Sequence, residues 1–310
     1  PPWKHIKKKY NRVHKGESLI ELTPCRDRLG ELVQFVARLN SDGTHHIGFF
    51  GEGEADIRAS LAECLIPPAE GFRLAYVGDQ LIGVFGVDVD PEINRAWLFG
   101  PLVEHGDWHT VADQLYAEVL PLIPVDIRDY DLFCDVQNVN IQAFAVRHGF
   151  PLYSENAVLT LVREKYKPTA KRQTRITPYQ KRFFKQFEKL HTTLFPKAYF
   201  SARQITEKID ERHQLFLAVE RNHVFGYHFC KIEPESESGY VDFIGTESIA
   251  RGRGIGADLL AAGIDWMLTS PTTQKINLTV NADNAPARHL YETFGFVTDR
   301  VMRGYRKQVV

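Results

Sequence analysis

The sequence predicts an α+β protein of two similar domains in tandem, each a mixed, mostly antiparallel sheet with helices on both faces. A length of 310 residues suits two domains of about 150 residues. Two segments also resemble each other at an offset of 146 residues, LFCDVQNVNIQAFAVRHGF at 132–150 and LTVNADNAPARHLYETFGF at 278–296. Both run from a β-branched strand through an Asn into a helix ending at Gly-Phe. A period this long indicates a duplicated domain.

The same order of elements is predicted for each copy. An initial strand precedes two amphipathic helices and a hairpin that turns at Gly78-Asp79 or at Arg221-Asn222. A strand, a long helix, a strand, a shorter helix and a closing strand complete the unit, which favours helices on both faces. The predicted ranges are strand 19–22, helices 26–40 and 56–65 and hairpin 72–88, then strand 174–176, helices 179–191 and 201–211 and hairpin 214–232. We place the domains at 1–166 and 167–310.

Composition disfavours several classes of protein. Apolar residues make up 44% and charged residues 25% of the chain, and no apolar run approaches the roughly 18 residues of a membrane span. The net charge is −1, so nothing global attracts nucleic acid or an anionic membrane. Four scattered cysteines lack CxxC spacing, which argues against zinc and disulfides and favours a reducing cytoplasm. No histidine spacing indicates another metal.

Two local stretches are basic. The first lies near the start and lacks the apolar core of a secretory signal, and the second is REKYKPTAKRQTR at 163–175. Neither has the interleaved aromatic residues that stack on single-stranded nucleic acid. We therefore predict a tethering arm and a solvated interdomain linker. The arm's cations are Lys4, Lys7, Lys8, Lys9, Arg12 and Lys15.

Three glycines and two arginines stand directly ahead of an apolar helix in ARGRGIGADLL, residues 250–260. Without side chains, Gly252, Gly254 and Gly256 let backbone N–H groups approach a ligand, and the helix N-terminus adds partial positive charge. Arg251 and Arg253 can bind a diphosphate bidentately. The stretch therefore predicts a phosphate-binding loop, with a plain Gly-rich turn as the alternative.

A dinucleotide fingerprint is the competing functional interpretation of this loop. Gly252, Gly254 and Ala257 fit the looser G-x-G-x-x-G/A pattern. That motif follows a continuously apolar parallel strand early in a Rossmann unit, whereas the strand here carries Asp242 and lies late in the chain. The sequence thus disfavours NAD or FAD.

Two motifs together resemble the GNAT N-acetyltransferase superfamily. RGRGIG at 251–256 resembles its R/Q-x-x-G-x-G/A acetyl-CoA loop, and NADNAPARHLYETFGF at 281–296 resembles its N-x-x-A-x-x-x-Y-x-x-x-G-F motif. The resemblance is strong over about 240–300, and the order of elements agrees over 174–310. It implies that the loop binds the CoA pyrophosphate and that strands near 240–247 and 276–281 splay apart. The implied cofactor-binding residues are Ile244, Gly245, Thr246, Arg251, Gly252, Arg253, Gly254, Ile255, Gly256, Asn281 and Asn284.

Acetyl transfer to an amine requires two proton movements. A free alkyl amine titrates near 10.4 and arrives protonated, so a base must accept its proton. Asp242 is the first candidate base and Glu247 the second. The departing CoA thiolate needs a proton or a hydrogen bond, and Tyr291 stands where the family's general acid stands. An exposed N–H near 244–246 is expected to stabilise the oxyanion.

The first copy is expected to be a degenerate one. The repeat aligns Tyr291 with Ala145, Arg251 with His105, Gly254 with Trp108 and Gly256 with Thr110. Bulky and branched residues restrict the close backbone approach that a phosphate requires. We expect this copy to lack turnover and either to shape the acceptor site or to stabilise the active copy.

The sequence therefore predicts an acetyl-CoA-dependent N-acetyltransferase, active in its second half and independent of metal. A CoA-binding sensor or interaction module without turnover is the alternative. Polyamine-like, aminoglycoside-like and peptide amines all remain open as acceptors, with no nucleic-acid or membrane partner expected. Glu233, Glu235 and Glu237 form an acidic cluster that either attracts a cationic amine or is simply solvated.

Overall fold

The computed structural model describes residues 19–51, 53–167, 174–196 and 198–309. The predicted N-terminal arm and the centre of the predicted linker lie outside these residues. The first half contains β1 (Ile20–Pro24), α1 (Leu29–Asn40), α2 (Glu54–Ala62), α3 (Pro68–Gly71), β2 (Phe72–Val77), β3 (Gln80–Asp90), β4 (Arg95–Val103), α4 (Trp108–Val119), β5 (Asp129–Asp135), α5 (Val139–Arg147) and β6 (Leu152–Val162). The second contains β7 (Ile176–Pro178), α6 (Phe184–Leu194), α7 (Ala202–Glu207), β8 (His213–Glu220), β9 (His223–Glu233), β10 (Ser238–Thr246), α8 (Ile255–Met267), β11 (Lys275–Asn281), α9 (Ala285–Thr293) and β12 (Val297–Gln308).

Apart from the short helix α3 of the first half, the described parts of the two halves repeat one order of elements, and the predicted α+β class is confirmed. Both hairpins turn where the sequence places the turn, with positive φ at Gly78, Arg221 and Asn222. The helix predicted over 179–191 begins later, because residues 181–183 form a 3₁₀ turn first. Among the described residues, no helix has the length and apolar character to span a membrane.

The strands of the two halves form one continuous twelve-stranded sheet in the described chain, in the order β1-β2-β3-β4-β5-β12-β6-β11-β10-β9-β8-β7. The closing strands are exchanged. β6 of the first half pairs with β11, and β12 of the second half pairs with β5. In space, therefore, the part of the sheet formed by each half is completed by a strand of the other half.

A buried ion pair fixes the exchanged strand β12 to the first half. Nε and Nη2 of Arg306 each donate to a carboxylate oxygen of Asp131 on β5, both at 2.6 Å. The two residues are only 8% and 3% exposed. Removing one partner of such a pair leaves an uncompensated buried charge, which costs about 3–5 kcal/mol. The position of β12 in the sheet is therefore stabilised by this ion pair as well as by strand pairing.

The exchanged strand β6 also belongs to the core of the second half. Leu159 and Leu161 pack with Leu278 of β11 and with Tyr291 of α9 on one face of the sheet. On the other face, α6 and α7 cover a separate aromatic cluster that includes Phe243. Because the second half's core contains residues from the first, we treat the chain as one folding unit.

Candidate active site

Strands β10 and β11 pair in parallel along only part of their length. The pairing runs from Ser238 opposite Lys275 to Val241 opposite Leu278. Directly after it β10 has a bulge, since Val241 pairs with Cys230 and Phe243 with Phe229, which leaves Asp242 unpaired. Bulges increase local twist and divert a strand. Beyond the bulge β10 stays with β9, and a gap opens between β10 and β11.

Backbone donors face this gap. The N–H of Glu247 donates to the carbonyl of Phe225 on β9, at 2.8 Å. Amide directions alternate along an antiparallel strand, so the N–H groups of Ile244 and Thr246 are directed away from β9. Strand alternation thus directs the N–H groups of Ile244 and Thr246 towards the gap. The N–H group of Gly245 is directed at β9.

The N-terminus of α8 lies beside the gap and leaves its backbone donors open. Gly252 and Gly254 both have φ of +75°, and Gly254 is the N-cap, which makes no side-chain capping bond. A Cβ at either position meets no atom within 4 Å, so the left-handed backbone is what requires glycine there. The amides of residues 252–257 donate no hydrogen bond to the described part of the chain. Such an end is suited to binding an anion.

A cleft of about 750 Å³ joins these features. It extends from the α8 N-terminus through the gap between β10 and β11 to α9, where Asn284 caps the helix by accepting from the N–H of Ala287 at 3.2 Å. Most residues singled out from the sequence line it, namely Asp242, Ile244, Gly245, Thr246, Arg251, Gly252, Gly254, Ile255, Gly256, Asn281, Asn284 and Tyr291.

Two of the predicted site residues do not line this cleft. The Nη2 of Arg253 donates to Glu220 at 2.7 Å, and its guanidinium lies over the ring of Phe225. Glu247 is hydrogen-bonded to Nε2 of His223 at 2.8 Å and lines a separate cavity of about 620 Å³. Arg251 lines both cavities. The structure thus brings one of the two loop arginines and one of the two carboxylates into the cleft.

The carboxyl group of Asp242 lies in a poorly solvated position. The hydroxyl of Tyr199 donates to its Oδ1 at 2.9 Å, while the buried Oδ2 has no hydrogen-bond partner in the described chain. Burial raises the pKa of Asp242 from 3.8 to about 6, against the opposing effects of Lys231 and of the Tyr199 hydrogen bond. A carboxyl group that ionises just below neutral pH is suited to accept a proton.

Tyr291 on α9 combines core packing with access to the cleft. It is only 6% exposed, and its ring packs edge-on against Phe296 with centroids 5.9 Å apart. Burial raises the pKa of the Tyr291 hydroxyl to about 12. The hydroxyl therefore stays protonated at neutral pH and is available as a donor.

Several residues around Asp242 were not found from the sequence. Tyr199 lies in the connection between α6 and α7, where no periodic pattern marks it. Burial opposes the charge of Lys231, yet the carboxylates of Asp242 and Glu233 more than offset this and raise its pKa. Lys231 stands in the largely apolar strand HVFGYHFCKIE, two residues before Glu233, and this pair of charges was the available signal. Tyr240 and Thr279 hydrogen-bond to each other across β10 and β11, at 2.8 Å.

The corresponding helix of the first half has a different N-terminus. Asp107 caps α4 by accepting from the N–H of Thr110 at 3.4 Å, and Trp108 is the first helical residue. A carboxylate at this position occupies an orphan donor and repels an anion. Ala145, the counterpart of Tyr291, is fully buried. Nowhere in the described residues do His, Cys, Asp or Glu side chains form a group able to hold a metal ion.

Comparison with known proteins agrees with this geometry. Residues 180–296, which make up most of the second half of the chain, match the model of the acetyltransferase (GNAT) family. The whole chain has the fold of tandem members. A tandem GNAT protein from the clavulanic acid biosynthesis pathway, solved without AcCoA, aligns over 94% of this chain and 98% of its own with a TM-score of 0.66 and 14% identity.

A second solved structure and a sequence relative are also similar to this chain. A GCN5-related N-acetyltransferase from Sphaerobacter thermophilus covers 93% of this chain and 95% of its own, with a TM-score of 0.68 and 13% identity. The mycothiol acetyltransferase of Gordonia bronchialis is 33% identical over 104 residues, which are 31% of this chain and 33% of the relative. The alignment thus spans about a third of that relative's length.

Proposed function

We propose that the protein is an acetyl-CoA-dependent N-acetyltransferase with one active site, in the cleft between β10, β11, α8 and α9. One observation supports this above all. The open amides of residues 252–257, the gap between two strands, a carboxyl group with a raised pKa and a protonated tyrosine all lie along a single cleft. Diphosphate, thioester and amine each find a suitable group there.

Acetyl-CoA would lie with its pyrophosphate at the N-terminus of α8. The amides of residues 252–257 and the guanidinium of Arg251 supply donors and positive charge for it. The pantetheine arm would follow the gap between β10 and β11, where unpaired strand edges offer amide partners. Asn281 and Asn284 also line the cleft. Arg253 is committed to Glu220 and contributes less.

Asp242 is the proposed base. Above about pH 6 its carboxylate accepts a proton from the ammonium form of the acceptor, directly or through water. The neutral nitrogen attacks the thioester carbonyl carbon, a C–N bond forms and the C–S bond breaks. The N–H groups of Ile244 and Thr246 stabilise the charge that develops on the carbonyl oxygen. The Tyr291 hydroxyl donates to the departing thiolate, and the products are an acetamide and CoA.

A CoA sensor without turnover is the competing function. Such a protein needs the loop but has no use for a poorly solvated carboxyl group and a buried tyrosine in the same cleft. These two residues therefore support an enzyme.

Titration of acetyl-CoA into the full chain tests the proposal, followed by thiol release in the presence of amines. We expect binding in the wild type, and weaker binding in Gly254→Val, whose β-branched residue cannot adopt a φ of +75° without strain. Gly106→Val is the matched control in the first half, since a Cβ at Gly106 meets no atom within 4 Å. Equal affinity of the two variants would contradict the assigned loop. Binding without thiol release for any amine would favour the sensor.

A further inference from the structure

A second cavity of about 750 Å³ lies between the two halves, and the proposed chemistry leaves it unassigned. The first half contributes the segment around His46–Gly51 and one side of α2. The second half contributes successive strands of the sheet, including Lys231 of β9, Tyr240 of β10 and Thr279 of β11. The exchanged strands complete the wall through Thr160 of β6 and Met302 of β12.

The interdomain cavity adjoins the proposed acetyl-CoA cleft. Thr279 lines both, and its Oγ1 is hydrogen-bonded to the hydroxyl of Tyr240, which lines the interdomain cavity. Side chains alternate along a strand, so Asn277 and Thr279 share the face of β11 opposite to Leu278, which belongs to the core beneath α8 and α9. The cavity and that core therefore lie on opposite faces of the sheet.

The proposed base is electrostatically coupled to the same cavity. Lys231 and Glu233 line it, and both act on Asp242 with opposite signs. Lys231 and Glu233 also form an ion pair with each other, at 2.5 Å. A charged group that binds Lys231 or Glu233 in the cavity would thus also alter the electrostatic environment of Asp242.

The wall carries both signs of charge together with neutral hydrogen-bonding groups. Its charged residues are Asp56, Lys231, Glu233, Glu235, Lys275, Asp299 and Arg300, and its hydroxyl and amide residues include Ser60, Ser236, Ser238 and Asn277. A polyamine would be matched best by a wall of one sign only. Mixed charge is complementary to a ligand that carries both an amine and an anionic or hydrogen-bonding group.

Resting on the proposed acetyl transfer, we propose that the interdomain cavity binds the acceptor, with α2 of the first half as one wall. The acceptor is a compact polar amine that also carries an anionic or hydroxyl group. It reaches the thioester past Thr279 from the face of the sheet opposite to α8 and α9. The degenerate copy thus takes part in acceptor recognition without binding acetyl-CoA.

Ala55→Trp tests this proposal, because Ala55 is an exposed residue of α2 that lines the cavity. The indole would occupy cavity volume without disturbing the core. Arg58→Trp is the matched control, since Arg58 is an exposed residue of the same helix outside the cavity wall. Thermal melting and acetyl-CoA titration of both variants show whether the fold and the cofactor cleft are intact.

The acceptor probes are glycylglycine, glucosamine, spermidine and a 20-residue peptide with a free N-terminus. We expect glycylglycine or glucosamine to be acetylated best. Ala55→Trp should raise the KM of that acceptor at least 10-fold and leave the affinity for acetyl-CoA unchanged, whereas Arg58→Trp should change neither. Ala55→Glu, which adds a negative charge, should shift the preference towards spermidine.

Two results would overturn this assignment while leaving the proposed acetyl transfer in place. They are an unchanged acceptor KM in Ala55→Trp and a clear preference of the wild type for spermidine or the long peptide. Failure of the wild type to bind acetyl-CoA, or binding without transfer to any probe, would instead refute the proposed function itself.

Discussion

Replacing Asp242 with asparagine separates the catalytic role of this residue from its cost to the fold. The amide keeps the shape of the side chain and still accepts the hydrogen bond from Tyr199 through Oδ1, but it cannot accept a proton. Loss of a general base lowers turnover by about 10²–10⁴-fold. We therefore expect the wild type to show a rise of kcat/KM through about pH 6, and we expect Asp242→Asn to lose both activity and this rise.

The same variant is expected to be more stable than the wild type at neutral pH. Burial raises the pKa of Asp242 from 3.8 to about 6, and each pKa unit corresponds to about 1.4 kcal/mol. The folded protein thus binds more protons than the unfolded chain between these values, so its stability falls as pH rises through that window. Above this pH window, the ionised carboxylate lowers the free energy of unfolding by about 3 kcal/mol. Asparagine carries no charge and avoids this loss.

Urea unfolding at pH 4, 5, 6 and 7.5 measures this effect. The free energy of unfolding of Asp242→Asn should exceed that of the wild type by up to about 3 kcal/mol at pH 7.5, and the difference should shrink towards zero at pH 4. Asp79→Asn, at an exposed hairpin turn, is the control and should show no such trend. A variant less stable than the wild type at pH 7.5, or one retaining a tenth or more of wild-type activity, would refute the reasoning.

The other predictions concern acetyl-CoA binding and the proposed general acid Tyr291. Tyr291→Phe should lower kcat by roughly 10²-fold with unchanged affinity for acetyl-CoA in calorimetry, and an unchanged kcat would remove the assigned role. Arg251→Ala should weaken acetyl-CoA binding about 10-fold, a loss of about 1.4 kcal/mol, whereas Arg253→Ala should weaken it less, because Arg253 is paired with Glu220; the reverse order would contradict the assignment. Calorimetry should give one acetyl-CoA per chain, since Asp107 caps the matching helix of the first half, and two equivalent sites would show that this cap does not exclude the cofactor.

Much of the fold was predictable because its signals are local. Turn residues such as Arg221-Asn222, the Asn284 cap and the glycines before α8 each fix nearby backbone. The repeat supplied the turn and the Asn cap a second time, at Gly78 and Asn138. Most of the residues assigned to the cleft were predictable for the same reason, since they fall within two short motifs. Arg253 lies in the first motif and Glu247 four residues before it, but their side chains contact Glu220 on β8 and His223 on β9 instead.

What the sequence did not predict depends on contacts between distant segments. The exchange of β6 and β12 does not alter the range of any helix or strand. It changes only which strands pair with each other, and hydrophobic periodicity does not encode strand pairing. The pair Arg306 and Asp131, separated by 175 positions, becomes visible only once these strands are adjacent. Tyr199 and the interdomain cavity likewise arise from tertiary packing. The environment of Asp242 was therefore predictable only in part.

A crystal structure of the full chain with CoA tests the central claim most directly. We predict the pyrophosphate against the amides of residues 252–257, the pantetheine arm between β10 and β11, and the thiol within hydrogen-bonding reach of the Tyr291 hydroxyl. Density for CoA at another surface, or a thiol directed away from both Tyr291 and Asp242, would contradict the account.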